Sequence, residues 1–407
     1  MTRTWGDADA LWSDPRYTWT GDAYSAPSVP RTLSEILRGS HRPCTRLHWL
    51  DSDDAILQTW QGGVSRTAIL TGGDTVRDRG RMVRGSGSLV IANPDGDLSP
   101  QAPGDPFFGG ERLRLEQGAY GDNGQPLWTV TFTGVVTNWT ATMMGSLSVS
   151  VEDPTSLLAQ PMGDAVSVPN GMSAADALRL LWEPVLGDSD DWELDGDGRS
   201  VSAGSWSADA DRLAAGVELM AGLGLEVYAD RLGRVVLRPV PDPTAQDIAR
   251  TFTTTARNAA MLDMARSGSR QPYNRVIVVV DDPARETFFA IADVDEPGSP
   301  IHADTIGLRV APVHRSALIP DQASANAVAR ALLGWYSRYA DSVDGGFFPD
   351  PELLEGDVVS LTESITGTAD RYLVESLSLP VVTGSMTLAT SKVLPLFSEV
   401  TAGLVAA

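Results

Sequence analysis

The sequence predicts a mainly β fold with an α+β insert, organised as two barrel-like β domains plus a small helix-and-hairpin domain. Short runs of alternating apolar and polar residues recur over residues 40–158. Residues 159–272 carry helical spacing that leads into a hairpin, and residues 273–392 return to strands around one long helix. Strands repeat every two residues and helices every ~3.6, so these changes of period indicate changes of structure.

Residues 1–39 are predicted to form an aromatic-rich N-terminal arm. Trp5, Trp12 and Trp19 recur every seventh residue, but Gly6 and Pro15 argue against a continuous helix. Exposed aromatic side chains on such a segment usually need a surface to cover them. Two interpretations stay open: the arm packs on a partner, or it packs on its own domain.

The first β domain is predicted over residues 40–158. Seven short candidate strands lie there, and the stretches WTVTFTGVV and SLSVSVED alternate most clearly. The stretch NPDGDLSP, residues 93–100, is a strong turn signal, because Asp95-Gly96 tolerates a positive φ and two prolines bracket it. Several short strands joined by such turns are typical of a barrel or a sandwich.

The insert, residues 159–272, is predicted to contain two helices and a hairpin. Ser173 and Asp176 have the spacing of a capping box, and a second helix is expected from near Ser207 to Gly222 or Gly224. The hairpin is GLEVYADRLGRVVLRPVP, residues 224–241. The acidic loop at residues 188–200 matches a calcium-binding loop incompletely, so a turn is expected and weak cation binding is the lesser alternative.

The second barrel-like domain is predicted over residues 273–392, with a helix from about Asp321 to Asp341. Val328, Leu332, Trp335 and Tyr339 fall on one side of this helix and are expected to be its buried stripe. Residues 393–407 are expected to form a loose tail.

Composition excludes several classes of protein. The net charge is −22, which repels nucleic acid in general, although an acidic wall suits a conduit to which DNA must not stick. Cys44 is the single cysteine, so neither an intrachain disulfide nor a cysteine-rich zinc site is expected. No run approaches the ~18 to 20 apolar residues of a membrane span, and no secretory signal is expected.

A search for chemistry predicts no catalytic, metal or cofactor site. His41 and His48 flank Cys44, but nothing nearby completes a metal site, so a structural histidine is expected. The motifs of serine hydrolases, zinc peptidases and P-loop enzymes are not present. With 53 acidic residues, pairs of carboxylates are too common to single out one site.

Arginines are the candidate partner-interface residues. Arg77, Arg79, Arg81 and Arg84 form a basic cluster in TVRDRGRMVRG, which is either a solvated strand face or a contact for an acidic patch on an adjacent subunit. Arg231 and Arg234 at the predicted hairpin turn are further candidates, together with the three arm tryptophans.

Three segments in this order resemble the hub proteins at the tail tip of tailed bacteriophages, specifically the minor tail proteins of phages infecting actinobacteria. The first is GSLVIANPDGDLSPQAPGDPFFGGERLRLEQGAY with FTGVVTNW, and the second is the helix with the hairpin at residues 224–241. The third runs from Asn274 through SPIHADTIG, DQASANAVARALL and PELLEGDVVSL to RYLVESLSLPVVTGSMTLAT. The resemblance covers roughly residues 40–392.

The resemblance implies a non-enzymatic structural hub in the virion. It implies a homotrimer in which two barrels per subunit make six barrels around one axis and adapt a sixfold tail tube to a threefold tip. Partners would be the distal tail protein ring, the tape measure protein and tip or fibre proteins, with DNA passing transiently through the channel. No cofactor is implied.

Two other functions stay open on the sequence alone. The chain could bind a receptor or glycan at the tip, with the arm tryptophans and Trp182, Trp192 and Trp206 as sugar platforms. Less favoured is a tail-associated cell-wall hydrolase, which would need carboxylates that converge in a deep cleft.

Overall fold

The computed structural model describes residues 32–37, 43–62, 69–121, 124–143, 145–187, 190–253, 261–268, 272–283, 285–338, 341–362 and 369–398. Strands predominate, and most of them belong to one 13-stranded sheet. The chain is therefore mainly β, as predicted. Of the helices in the described ranges, none is long and apolar enough to cross a membrane.

The first barrel follows a short helix, α1 (Leu33–Leu37). Its strands are β1 (Pro43–Leu50), β2 (Ile56–Gly62), β3 (Leu70–Asp78), β4 (Gly85–Ala92), β5 (Arg112–Tyr120), β6 (Pro126–Ala141) and β7 (Ser146–Glu152). The pairing order β3-β2-β1-β5-β6-β7-β4 returns to β3, which closes the ring. Alternation along β7 points Leu147, Val149 and Val151 into a shared core.

The insert packs two helices against small sheets. Its elements are a short 3-10 helix (Pro154–Leu158), β8 (Val166–Val168), α2 (Ala174–Leu186), β9 (Glu193–Leu194), β10 (Gly204–Trp206), α3 (Arg212–Ala221), β11 (Leu225–Ala229) and β12 (Val235–Pro239). The Ser173 hydroxyl caps α2 by accepting a hydrogen bond from the Asp176 amide. The predicted hairpin is confirmed by the antiparallel pairing of β11 with β12.

The rest of the chain forms two bodies. Its elements are β13 (Ile248–Thr253), β14 (Met261–Ser267), β15 (Arg275–Val280), β16 (Phe288–Asp293), α4 (Ala303–Ile306), β17 (His314–Arg315), α5 (Gln322–Ser337), β18 (Ser342–Phe347), β19 (Val358–Thr362), β20 (Ala369–Pro380) and β21 (Met386–Lys392).

The second barrel-like body has a different membership from the prediction. Its strands run in the order β14-β18-β21-β20-β19-β13 around one apolar core. The strands β13 and β14 lie within the range predicted as insert, yet they pair with β19 and β18. Such pairing over about a hundred residues leaves no trace in a local pattern. The predicted boundary at residue 272 therefore falls after two strands of the second barrel.

Residues 275–283 and 285–337 form a third lobe outside the barrels. The sheet β16-β15-β17 packs one face against α5, with Val276, Val278 and Val328 in their common core. The predicted stripe on α5 holds for Val328 and Leu332, whereas Trp335 is 38 % exposed. Tyr339 lies outside the described residues.

The expected loose tail is only in part described. Leu394 is buried, and Leu396 and Phe397 pack against the core of the third lobe, so residues 393–398 are anchored rather than loose. The physical reason is that three apolar side chains within four residues find an apolar core beside them.

The two barrels are one continuous sheet. Strand β20 pairs with β19 at residues 369–373 and with β21 at residues 372–378. Its last residues pair with β3 of the first barrel, where Ser376 to Pro380 lie opposite Asp78 to Asp74. The Val381 amide extends this joint by donating to the Gly73 carbonyl at 2.9 Å. The strand β3 of the first barrel is thus hydrogen-bonded directly to β20 of the second barrel, and this pairing fixes how the two barrels are oriented.

Candidate functional site

Arg77 of β3 lies where the first barrel, the insert and the second barrel meet. Its guanidinium donates to both carboxylate oxygens of Glu355, at 2.8 and 2.7 Å, and to the Ala229 carbonyl at 2.6 Å. The Arg77 and Glu355 side chains are only 4 % and 3 % exposed. One side chain therefore holds the end of β11 and the loop before β19 on the first barrel.

A second acid at the same place is surrounded by arginines. The Glu226 carboxylate lies 2.8 Å from Arg84, 3.4 Å from Arg79 and 2.8 Å from Arg238. Burial alone would raise the pKa of Glu226, but the nearby Arg84 and Arg79 outweigh it and lower the pKa to about 2. Burial would also raise the pKa of Glu355, but the adjacent Arg77 guanidinium outweighs burial and lowers that pKa.

These charged groups form a joint that we call the arginine junction. It consists of Arg77, Arg79, Arg84, Glu226, Arg238 and Glu355. Arg84 also stacks on the Tyr228 ring, 4.1 Å from its centroid. Charges of both signs that are buried and paired hold a fixed geometry, because separating them would leave an uncompensated charge.

The junction corrects the interpretation of the arginine cluster. Arg77 and Arg84 are neither on a solvated strand face nor free for an adjacent subunit, since both are buried and paired within the chain. Arg79 is largely covered as well. Arg81 is exposed, 3.2 Å from Asp78, and its role at a partner interface stays a prediction.

The remaining predicted interface residues are less constrained. Arg234 pairs with Asp230 at 2.7 Å within the hairpin turn, with about a third of its side chain exposed. Arg231 is half-buried. Trp5, Trp12 and Trp19 lie outside the described residues, so their place at an interface stays a prediction.

A polar surface runs across both barrels on the outer side of the joined sheet. Residues that lie opposite one another on neighbouring strands point to the same face. One such row crosses the joint through Thr387, Ser378, Val76 and Ser86. The residues that alternate with them, such as Leu377 and Leu388, are buried in the barrel cores.

We call this surface the polar face. Following the pairing order β14, β18, β21, β20, β3, β4, β7, β6, its positions are Asp263, Ala265, Gly346, Asp344, Thr387, Ala389, Ser378, Ser376, Val76, Asp78, Asp74, Ser86, Ser88, Glu152, Ser150 and Asn138. Most are small and polar, the charged ones are all acidic, and none is lysine or arginine. The polar face thus presents a neutral-to-acidic surface.

A shallow groove lies at one end of the polar face. It is lined by Asp263, Asp344, Ser376 and Thr387, among others. Asp263 is engaged by the Gly346 amide, which donates to its carboxylate. The groove is open rather than deep, and a hydrolase site would instead enclose its substrate between carboxylates.

The histidines and the acidic loop provide no metal cluster within the described ranges, where no group of three or more His, Cys, Asp or Glu side chains could hold an ion. His48 is buried, with Nδ1 2.8 Å from the Thr59 hydroxyl, and burial lowers its pKa although Glu116 opposes this. His41 lies outside the described residues. In the acidic loop, the Asp195 carboxylate accepts the Asp197 amide and so forms a turn.

The insert tryptophans make poor sugar platforms. Trp182 is fully buried and donates to the Arg212 carbonyl at 3.3 Å, so it is a core residue. Trp192 and Trp206 are partly buried and pack against the same core.

The sequence matches no protein-family model and no curated protein. Solved structures share its fold. The tail protein from Neisseria meningitidis MC58 covers 86 % of this chain and 96 % of its own, with 14 % identity and a TM-score of 0.57. The 43 kDa tail protein of prophage MuSo2 from Shewanella oneidensis covers 86 % and 98 %, with 14 % identity and a TM-score of 0.55.

The prophage tail protein gp18 from Listeria monocytogenes EGD-e covers 89 % of this chain and 98 % of its own, with 11 % identity and a TM-score of 0.52. Each similarity extends over nearly the whole of the solved protein. At these identities the likeness concerns the fold. The chain thus shares with solved tail proteins a mostly β fold built of barrel-like rings of strands.

Proposed function

We propose that this chain is a structural hub of a phage tail tip, or baseplate, in which three copies surround the DNA channel and turn the polar face toward it. The observation that carries the proposal is the polar face itself. Its sixteen positions, on eight strands of the two barrels from β14 to β6, include no basic residue. Lysine and arginine are the side chains that hold DNA phosphates, so a wall without them lets DNA slide past.

The joined barrels support a ring of three. Each copy contributes two barrel-like bodies that are joined by the pairing of β3 with β20, so three copies place six such bodies around one axis. Such a ring would match a sixfold tail tube above and a threefold tip below. A contact between unlike surfaces closes into a ring when its rotation divides the circle.

The arginine junction supports a mechanical rather than chemical role. It locks the insert and both barrels through buried ion pairs, which suits a part that must keep its shape while the tail acts. The hairpin β11–β12 brings Glu226 to this junction. The insert is thereby held in a fixed position on the barrels, and we propose that it fills the gap between neighbouring copies.

The proposed position in the tail implies the partners of the chain. We propose the distal tail protein ring and the tape measure protein above the hub, and tip or fibre proteins below it, in the virion. We also propose that the phage infects an actinobacterium. The resemblance of residues 40–392 to minor tail proteins of phages infecting actinobacteria supports this host. The chain's basic residues agree with this, because all but Lys392 are arginine, as is typical of a GC-rich genome.

Electron cryo-microscopy of the purified chain, or of a particle that contains it, tests the proposal. We expect three copies around a channel, with Ser88, Ser378 and Thr387 on its inner wall. A chain that stays single at every concentration, or a ring whose inner wall carries arginines while the polar face points outward, contradicts the proposal.

A further inference from the structure

The third lobe has an apolar surface on the side of its sheet that α5 does not cover. On this side Ile277 lies opposite Ile291, and Val279 lies opposite Phe289. Phe289 and Ile291 are 62 % and 47 % exposed. Val310 and Val313, on the segment that leads to β17, are also exposed beside β15. We call these six residues the apolar sheet face.

Exposed apolar residues are common one at a time, but here they are contiguous. A patch of six such side chains is on the order of 400 Å², the scale at which exposed apolar surface marks an interaction site. That is roughly half of the ~800 Å² that each partner contributes to a stable interface. The apolar sheet face therefore has the size of an interface core that a polar rim completes.

Charge indicates which partner fits. At one end of the face Arg275 forms a two-point ion pair with Asp293, at 2.5 and 2.8 Å. At the other end Arg315 lies 4.0 Å from Asp281, and its side chain is 64 % exposed. The rim is thus locally neutral and offers one exposed guanidinium. An acidic surface can approach this rim without local repulsion, and the 53 acidic residues of this chain, against 31 basic ones, supply acidic surface on a second copy.

We propose that a second copy of this chain covers the apolar sheet face and that this contact closes the ring of three. The inference rests on the proposed function, because it names the surface by which the copies of the hub hold together. Permanent contacts between copies of one chain are the most apolar class of interface, in keeping with this face. In a ring of three the contact joins unlike surfaces, so the face meets a different region of its neighbour.

The test is the mass of purified variants in sedimentation velocity, over protein concentrations that span the assembly of the unaltered chain. The unaltered chain should sediment as three times 43.3 kDa. The double variant Phe289→Asp with Ile291→Asp should fall to the mass of one copy, because it places two charges in the contact. Phe289→Ala, a milder truncation, should assemble only at a concentration at least tenfold higher. Near-ultraviolet circular dichroism checks that both variants are folded.

The control is Met143→Asp, which puts one carboxylate, half of the charge that the double variant adds, on an exposed apolar residue of the β6–β7 hairpin tip and should leave the assembly intact. A folded double variant that keeps the mass of three copies overturns this inference and leaves the proposed function standing. An unaltered chain that is a single copy throughout overturns both. A chain without residues 1–31 that loses assembly, beside a double variant that keeps it, assigns the contact to the N-terminal arm and also overturns the inference.

Discussion

Arg77 and Glu355 lie 278 positions apart in the sequence, yet they form a buried ion pair with two hydrogen bonds. Arg77 belongs to β3, the first-barrel strand that pairs with β20 of the second barrel, and Glu355 belongs to the loop that leads into β19. The pair therefore spans the joint on which the orientation of the barrels depends. A buried charge without its counter-charge is strongly destabilising, so the joint depends on both Arg77 and Glu355.

The ion pair predicts a large cost when one partner is removed. Glu355→Gln should lower the free energy of unfolding by about 3 kcal/mol, because Arg77 keeps its charge in a buried place without a counter-charge. Chemical denaturation followed by tryptophan fluorescence measures the loss. Arg81→Gln is the control, since its exposed contact with Asp78 is worth at most about 1 kcal/mol. Equal losses in the two variants would contradict the role given to the pair.

Glu226 predicts how stability responds to acid. Its pKa is about 2 in the folded protein, below the ordinary value of 4.5. A carboxyl group whose pKa falls on folding stabilises the protein fully above its unfolded pKa, and this stabilisation is lost as the pH falls toward the folded pKa. The contribution of Glu226 should thus disappear between about pH 4.5 and about pH 2, and at most it amounts to roughly 3 kcal/mol.

Denaturation curves at a series of pH values check this expectation. The unaltered chain should be more stable than Glu226→Gln at neutral pH, and the gap should close as the pH falls through that window. Glu183→Gln, on an exposed position of α2, is the control and should follow the unaltered chain. A gap that stays constant from neutral pH down to about pH 2.5 would show that the arginines do not act on the Glu226 charge.

Gly73 predicts a backbone requirement at the joint of the barrels. Its φ is +112°, and a Cβ there would lie 1.9 Å from the Ser88 carbonyl oxygen. Gly73→Ala should therefore lower the free energy of unfolding by on the order of 3 kcal/mol, from strain and from the displacement of β4. Gly104→Ala separates backbone strain from the displacement of a neighbouring strand. The φ of Gly104 is also positive, at +92°, but no atom lies within 4 Å of the position that a Cβ would take there.

The matched comparison is the measurement: thermal unfolding of the two alanine variants beside the unaltered chain. Gly104→Ala should cost about 1 kcal/mol, as strain alone does. If Gly73→Ala cost no more than Gly104→Ala, the close approach of β3 and β4 at this point would not matter for stability.

Local patterns predicted the elements that local forces build. The alternation in SLSVSVED, the cap at Ser173 and the hairpin at residues 224–241 are all present in the structure. Each depends on residues within a few positions of one another, and the mainly β fold class follows from them. The order of the segments resembles that of phage tail-tip hub proteins, and the chain shares its fold with solved tail proteins.

Long-range partners could not be predicted in this way. Arg77 reads as an exposed strand residue, because an arginine is normally solvated and its acid is 278 positions away. The parallel pairing of β13 with β19 joins Ile248 to Val358, so nothing in the local pattern assigns β13 to the second barrel. The polar face could not be predicted for the same reason, since its serines become one surface only through the register of eight strands.

The polar face predicts what basic residues would do there. Replacing Ser88, Ser378 and Thr387 by arginine puts three positive charges on one surface, because these positions lie near the joint of β20, β3 and β4. We expect the triple variant to bind duplex DNA measurably, with an affinity that falls steeply as salt is added, since each phosphate contact contributes a slope of about −0.9. Fluorescence anisotropy of a labelled duplex at several salt concentrations measures both quantities.

Ala203→Arg with Ser205→Arg and Ser207→Arg is the control, because it adds the same charge at exposed positions of the insert. If the control bound DNA as tightly and with the same slope, net charge alone would explain the gain, and the absence of basic residues from the polar face would carry no meaning for DNA passage.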